Sequence, residues 1–160
     1  MLLKILLAGD GGQGIQTIAD ILCTASFQKN WQVSFIPNYG LEQRGGVSLA
    51  FIQISDQKIN YPKFSKADIL VILSDQARKR VESYKHAGTR IFDYGDFVNI
   101  LAENKVREKS WNIFALEWLA KILKEQKILE TDIVNLLLEE KLGQKDIWDD
   151  NKWAFKVGLK

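Results

Sequence analysis

The fold is decided by residues 2–29, LLKILLAGDGGQGIQTIADILCTASFQK. Leu2 to Ala8 is a short apolar run that glycines stop, which is typical of a buried strand. The glycine-rich segment that follows predicts a tight turn, and Ile15 to Lys29 repeats apolar side chains at helical spacing. A second strand is predicted at Gln32 to Pro37. A strand, a turn, a helix and a strand predict a βαβ unit with a right-handed crossover in a parallel sheet.

The remainder of the chain continues with strands and then with helices. Further strands are predicted at residues 47–54, 67–73 and 89–92. Helices are predicted at residues 75–85, with Ser74 as the N-cap, and at residues 112–127, 131–142 and 151–158. Residues 55–58 are predicted to form a hairpin turn that leads into a strand at Ile59. We therefore expect one domain over residues 1–160. Its fold class is α/β, with a Rossmann-like, mostly parallel sheet flanked by helices, a hairpin extension and a helical C-terminal third.

Composition excludes several classes of function. The net charge of +2 and the scattered lysines and arginines do not indicate a nucleic-acid partner. The single cysteine, Cys23, cannot hold an iron–sulfur cluster, and with His86 it cannot complete a structural zinc site. Cys23 lies within an apolar helical stretch, which predicts a buried, inert thiol. We therefore expect no metal site on this chain.

No membrane attachment is expected from the hydropathy pattern. The N-terminal apolar run is short, is broken by Lys4 and has no cleavage pattern of small residues, so it does not resemble a signal peptide. No stretch approaches the roughly 18 apolar residues that a membrane span requires. The near absence of cysteine is typical of a reducing compartment, and the expected location is the cytoplasm.

The segment Gly9-Asp-Gly-Gly-Gln-Gly14 matches the dinucleotide fingerprint G-x-G-x-x-G between a strand and a helix. Two features argue against such a site. Asp10 places a carboxylate where a diphosphate would bind, and the second strand ends without an acidic residue for the ribose. The glycines then form either a tight turn alone or a loop that packs against a partner subunit or a shared anionic cofactor.

A second loop, YGLEQRGG at residues 39–46, follows the second strand. A G-x-G-G-Q-G turn paired with a Y-G-x-E-x-R-G-G loop resembles the gamma subunit of 2-oxoacid:ferredoxin oxidoreductases. The ending Asn151-Lys-Trp-Ala-Phe-Lys-Val-Gly158 and the segment that begins at Asn112 are also similar to that family. The resemblance covers nearly the whole chain.

The resemblance implies a role in converting a 2-oxoacid and coenzyme A to acyl-CoA and CO2, with electrons passed to ferredoxin. This chain would be a non-redox subunit, inactive alone. It would carry no catalytic residue, and it would provide an assembly surface for alpha, beta and, where present, ferredoxin-like delta subunits, and part of the coenzyme A channel. Thiamine diphosphate, Mg and iron–sulfur clusters would be held by those partners. The form of the second loop favours 2-oxoglutarate over pyruvate or indolepyruvate.

The residues expected to bind a cofactor or a partner subunit come from both loops: Gly11, Gly12, Gln13, Gly14, Tyr39, Glu42, Arg44, Gly45 and Gly46. Both loops follow strands, so we expect them to meet at the carboxyl edge of the sheet. Arg44 would make forked bonds to a carboxylate or phosphate, or else pair locally with Glu42 or remain a solvated loop arginine. Gln13 would either bond across to the second loop or contact a ligand. Tyr39 is expected to anchor the loop, or else to lie in an interface.

Two other functions remain open on the residues alone. The first is that the chain is a small Rossmann-like dinucleotide-binding protein, and tight binding of NADH or FAD by the isolated chain would favour it. Alternatively it is a stand-alone scaffold or regulatory protein that retains the fold without the complex.

Overall fold

The computed structural model describes residues 1–39 and 45–158. The strands are β1 (Leu2–Asp10), β2 (Gln32–Tyr39), β3 (Val47–Ser55), β4 (Ile69–Ile72) and β5 (Arg90–Asp93). The helices are α1 (Ile15–Gln28), α2 (Asp75–Val81), α3 (Tyr94–Glu103), α4 (Trp111–Glu125), α5 (Thr131–Leu142) and α6 (Trp148–Gly158). The α/β class and the helical C-terminal third are confirmed.

The five strands form one mixed sheet in the order β2-β3-β1-β4-β5. β1 pairs in parallel with β4, and β4 with β5, whereas β3 runs antiparallel to β1 on one side and to β2 on the other. Four strands therefore share a direction, but β1 and β2 are not neighbours as a simple βαβ unit requires. The short connection between β2 and β3 makes their antiparallel pairing the cheaper arrangement in loop-closure entropy.

The predicted hairpin after residue 55 is wrong. In the described residues, no strand lies between Ser55 and Ile69. Ser55 is paired on both sides, with Leu2 of β1 and Gln32 of β2, so β3 has no free edge for a further strand. The chain instead folds back over one face of the sheet, where Gln53 Nε2 donates a hydrogen bond to the Tyr61 carbonyl at 2.8 Å. The antiparallel hairpin of this fold is β2–β3.

Helices cover the two faces of the sheet unequally. Leu3, Ile5 and Leu7 of β1 point into the larger core, which α1, α4, α5 and α6 close. Leu6 and Ala8 point into a smaller core closed by α2 and by the segment between β3 and β4. Within the described residues, no helix is both long and apolar enough to cross a membrane.

Cys23 lies within α1 and is buried, as predicted. Burial, helped by the nearby Asp20 carboxylate, raises the pKa of its thiol to about 12. The thiol therefore stays protonated at neutral pH and is a poor nucleophile and a poor metal ligand.

Candidate functional site

The ends of several strands bring the predicted loops to one edge of the sheet. Asp10, the last residue of β1, pairs with Val47, the first residue of β3. Tyr39 at the end of β2 pairs with Ser48, and Ile72 at the end of β4 pairs with Ala8. The turn after β1, the loop between β2 and β3 and the segment after β4 therefore leave the sheet side by side.

The first loop requires glycine at particular positions. Gly12 and Gly14 have φ angles of 93° and 72°, a left-handed conformation that glycine adopts without steric cost. At Gly9, an added Cβ would lie 2.7 Å from Gln13 Oε1. At Gly14, it would clash with Nδ2 of Asn112, in the first turn of α4. The turn is thus packed against its neighbours on its inner side.

Gln13 folds inward beneath this turn. Its Oε1 accepts a hydrogen bond from the Asp10 amide at 2.7 Å, and its Nε2 donates to the Leu73 carbonyl at 3.2 Å. Among the described residues, the side-chain partners of Gln13 are Asp10 and Leu73 and not Gly45 or Gly46 of the second loop. Because Gly9 has no side chain, the Gln13 side chain fits beneath the turn. Its hydrogen bond to the residue after β4 fixes the turn to the sheet.

The two loops meet through backbone atoms. The Gly11 amide donates a hydrogen bond to the Gly46 carbonyl at 2.9 Å, so the predicted meeting of the loops is confirmed at the described end of the second loop. Gly45 beside it has a φ angle of 80°. Tyr39 is 67% exposed, which favours a contact with a partner over a role in anchoring the loop. Glu42 and Arg44 lie outside the described residues.

Asp10 has an unexpected role. Its carboxylate accepts a hydrogen bond of 2.6 Å from the Ser74 hydroxyl, and the same hydroxyl accepts one of 3.1 Å from the Ala77 amide. Ser74 thus caps α2, as predicted, and also fixes the glycine turn. Sequence reasoning missed this bond, because it depends on β1 and β4 being neighbours in the sheet.

A cavity of about 270 Å³ lies between the glycine turn and α2. Three carboxylates line it, those of Asp10, Asp75 and Glu108, with Gln13, Ser74 and Tyr94. An acidic wall of this kind disfavours a diphosphate, because like charges would be brought together. This observation strengthens the argument against a dinucleotide at this turn.

Arg78 lies beside that cavity, but its guanidinium is already bonded to other residues. Arg78 donates to both carboxylate oxygens of Asp93, at 2.6 Å each, and also contacts Asp75. Its guanidinium lies 5.4 Å from the centre of the Tyr94 ring. Hydrogen bonds from Arg78 hold the pKa of Asp93 below its usual range, and the bond to Asp93 raises the pKa of Arg78. Arg78 therefore stabilises the fold here and is not available to a ligand.

The outer side of the site is a surface of exposed backbone. Gly11, Gly12 and Gly45 are exposed, and an added Cβ at Gly12 or Gly45 would meet no atom of the described residues within 4 Å. On the inner side, Gln16 Nε2 donates to the Ser48 hydroxyl and to the Leu49 carbonyl, each at 2.9 Å, so α1 is held to β3. The site is therefore rigid beneath and open above. It suits close approach of another molecule better than acid–base or nucleophilic catalysis.

Comparison with known proteins agrees with this architecture. Residues 4–160 match the family model described as pyruvate ferredoxin/flavodoxin oxidoreductase. A relative from Methanothermobacter marburgensis, 2-oxoglutarate synthase subunit KorC, is 33% identical over 137 residues, which cover 84% of this chain and 73% of the relative.

Two solved structures share the fold. A keto/oxoacid ferredoxin oxidoreductase gamma subunit from Geobacter sulfurreducens superposes with a TM-score of 0.73 at 22% identity, over 99% of this chain and 95% of its own. The 2-oxoglutarate:ferredoxin oxidoreductase of Magnetococcus marinus, with 2-oxoglutarate, coenzyme A and succinyl-CoA bound, superposes with a TM-score of 0.81 at 19% identity, over 99% of this chain and 30% of its own. The resemblance inferred from the two loops is confirmed. This chain belongs to the pyruvate ferredoxin/flavodoxin oxidoreductase family, and its fold is that of a gamma subunit.

Proposed function

We propose that this chain is the non-redox gamma subunit of a complex that converts a 2-oxoacid and coenzyme A to acyl-CoA and CO2, with electrons passed to ferredoxin. The observation that carries the proposal is the backbone surface where the Gly11 turn meets Gly46. Such a surface admits close contact with a partner and offers no catalytic side chain. Membership of the family supplies the reaction to which the surface contributes.

The redox groups belong on partner subunits in this proposal. The chain has one cysteine, and its thiol is buried with a raised pKa, so its residues do not fit an iron–sulfur cluster. Thiamine diphosphate with Mg, and the clusters, are assigned to the alpha, beta and ferredoxin-like delta subunits. With the redox groups on its partners, this chain has two roles: it holds the complex together, and it forms part of the path of coenzyme A.

The glycine turn and the second loop form the contact surface for a partner subunit, and they line part of the coenzyme A channel. Gly11, Gly12 and Gly45 offer exposed backbone for that contact, and Tyr39 offers an exposed ring. Arg44, on the same loop, supplies the forked cation for a carboxylate of a partner or a phosphate of coenzyme A. A coenzyme A-bound complex that contains this fold, from Magnetococcus marinus, supports the assignment.

The 2-oxoacid is proposed to be 2-oxoglutarate, ahead of pyruvate or indolepyruvate. The form of the YGLEQRGG loop favours that choice, and the Methanothermobacter marburgensis relative carries the name of a 2-oxoglutarate synthase subunit. Selectivity for the 2-oxoacid resides near the thiamine on another subunit. The sequence of this chain therefore indicates the type of complex, but the chain does not itself select the substrate.

The test is co-expression of the tagged chain with candidate alpha, beta and delta subunits, followed by isolation of the complex. We expect an iron–sulfur absorbance in the complex, none in the chain purified alone, and coenzyme A-dependent ferredoxin reduction that is faster with 2-oxoglutarate than with pyruvate. A stoichiometric iron–sulfur chromophore in the isolated chain would contradict the non-redox role. Saturable binding of NADH or FAD by the isolated chain would favour the dinucleotide-binding alternative. Failure to recover a cluster-bearing partner would favour the stand-alone scaffold.

A further inference from the structure

A second surface lies on the face of the sheet closed by α2, near the start of β1 and the end of β3. It is a groove of about 740 Å³ that includes Lys4, Gln53 and Tyr61 in its lining. An adjoining cavity of about 410 Å³ shares Gln53 and Tyr61 with it and extends it to Lys58. We call the two together the basic groove. The candidate site at the glycine turn lies at the opposite ends of β1 and β3, so both surfaces can be occupied at once.

The basic groove concentrates positive charge. Lys4, Lys63 and Lys66 line its larger part and Lys58 its extension, and none of its lining residues is acidic. The whole chain has a net charge of only +2, so this clustering is local.

The carboxylates nearest along the chain are already committed. Asp56 pairs with the N-terminal ammonium at 2.6 Å, and Asp68 accepts the Lys4 backbone amide at 2.8 Å. Glu82 pairs with Lys85 at 2.7 Å. Lys4, Lys58 and Lys63 have no ion-pair partner among the described residues, so they keep most of their attraction for an anion, although Asp68 retains its own charge.

The centre of the groove is apolar. Tyr61 is 75% exposed and Leu2 is 46% exposed, although both are large side chains. Behind them, the Phe64 and Tyr84 rings pack edge-on against Phe51, with ring centres 5.3 and 5.5 Å apart. Exposed tyrosine with a polar rim is typical of a protein–protein contact surface.

The groove is also preformed. Lys66 Nζ donates to the Ser83 and Lys85 carbonyls, each at 2.9 Å, which holds the segment before β4 to the end of α2. The bond from Gln53 to the Tyr61 carbonyl holds the other wall to β3. A partner would therefore pay little conformational entropy to order this side of the contact.

We propose that the basic groove binds an acidic segment of a partner protein, one that carries an aromatic residue between its carboxylates. The lysines are distributed along two joined cavities, which suits carboxylates spaced along a chain better than one compact phosphate. The exposed Tyr61 and Leu2 supply the apolar centre for the partner's aromatic ring. This inference concerns a surface separate from the two glycine loops and does not depend on the reaction proposed above.

The probe is a capped peptide of sequence EEFEE, titrated into the isotope-labelled full chain and followed by amide NMR shifts. We expect saturable shifts at Lys4, Tyr61 and Lys63, no shifts at Gly11, and several-fold weaker binding when the salt is raised from 50 to about 200 mM. Tyr61→Ala and Lys63→Glu should each weaken binding about tenfold, as expected for an anchor and a charge at such a contact.

Matched control variants distinguish specific binding in the basic groove from non-specific binding. Phe27→Ala removes a side chain that is 70% exposed elsewhere, and Lys152→Glu reverses an exposed charge on α6; neither should change binding. A peptide of sequence KKFKK should not bind. The proposal is overturned if EEFEE gives no saturable shifts or shifts outside the groove, or if KKFKK binds equally well. Saturation of the groove by ADP in the absence of EEFEE binding would make it a small-anion site instead.

Discussion

Replacement of Glu117 by glutamine should remove a large part of the pH dependence of this chain's stability between about pH 4.5 and 7. Glu117 lies on α4 with none of its surface exposed, and neither carboxylate oxygen has a hydrogen-bond partner among the described residues. Its Cβ and Cγ pack against Gly158 at the end of α6, where an added Cβ would lie 2.9 Å from each. The carboxyl group is therefore held in the contact between α4 and α6.

The size of the effect follows from the pKa. Burial raises the pKa of Glu117 from 4.5 to about 7, although Lys121 and Lys124 on the same helix act in the opposite direction. A difference of about 2.5 pKa units corresponds to about 3 kcal/mol between the folded and unfolded states. Because the pKa is raised in the folded state, the native protein binds the proton more tightly. The stabilisation is therefore complete below about pH 4.5 and is lost as the pH rises through about 7.

The assay is denaturant unfolding of the full chain at several pH values from about 4.5 to 8. The wild-type free energy of unfolding should fall by up to about 3 kcal/mol over that range relative to Glu117→Gln, which cannot ionise there. Glu103→Gln is the control, because Glu103 is exposed on α3 and its removal should leave the wild-type pH dependence unchanged. Parallel curves for the wild type and Glu117→Gln would refute the reasoning and show that this carboxyl group is ionised in the folded chain.

Three further predictions concern other residues. Gly14→Ala should destabilise the chain by about 1–3 kcal/mol in a thermal or denaturant melt, because φ is positive and the new methyl group meets Asn112; an unchanged melt would contradict the packing described. Cys23 should resist a thiol reagent at pH 8 in the native chain and react after unfolding; prompt native labelling would disprove its burial. Arg44→Ala should leave the melt within about 0.5 kcal/mol of wild type yet weaken assembly or raise the coenzyme A requirement, with partial recovery in Arg44→Lys. A changed melt, or unchanged assembly and titration, would remove Arg44 from the proposed surface.

Local patterns in the sequence were sufficient for most elements of the fold. β1, α1, β4 and α5 were predicted nearly at their observed bounds, because each combines a clear apolar period with a glycine, a proline or a capping residue nearby. α3 was not predicted, although Phe97, Ile100 and Leu101 stand at helical spacing within it; of its residues only Leu101 is buried.

The position of β3 depended on information that a single sequence does not carry. After its first residue, β3 is buried throughout. Its apolar pattern therefore does not indicate whether the neighbouring strands run parallel or antiparallel to it. Its insertion between β1 and β2 is a property of hydrogen bonding between distant segments. The predicted hairpin after Ser55 failed for the same reason, because both edges of β3 were already occupied.

At the candidate site, backbone features were predictable and side-chain partners were not. The glycine positions follow from a turn between a strand and a helix, and their left-handed angles at Gly12 and Gly14 agree. The partners of Gln13 and Asp10 are the Leu73 carbonyl and the Ser74 hydroxyl, both at the end of β4. Recognising them requires knowing that β1 and β4 are neighbours, which becomes evident only from the sheet order.

The reversed direction of β3 has a consequence for what the glycine turn can bind. In dinucleotide-binding folds, the amides of such a turn are left for the oxygens of a pyrophosphate. Here β3 begins beside the end of β1, so the Gly46 carbonyl occupies the Gly11 amide as a resident acceptor. The acceptor is a main-chain atom, so no side-chain replacement deletes it, and only a change in the path of the second loop would release the amide. The turn therefore has one free amide fewer for a phosphate than the corresponding turn of a dinucleotide-binding fold.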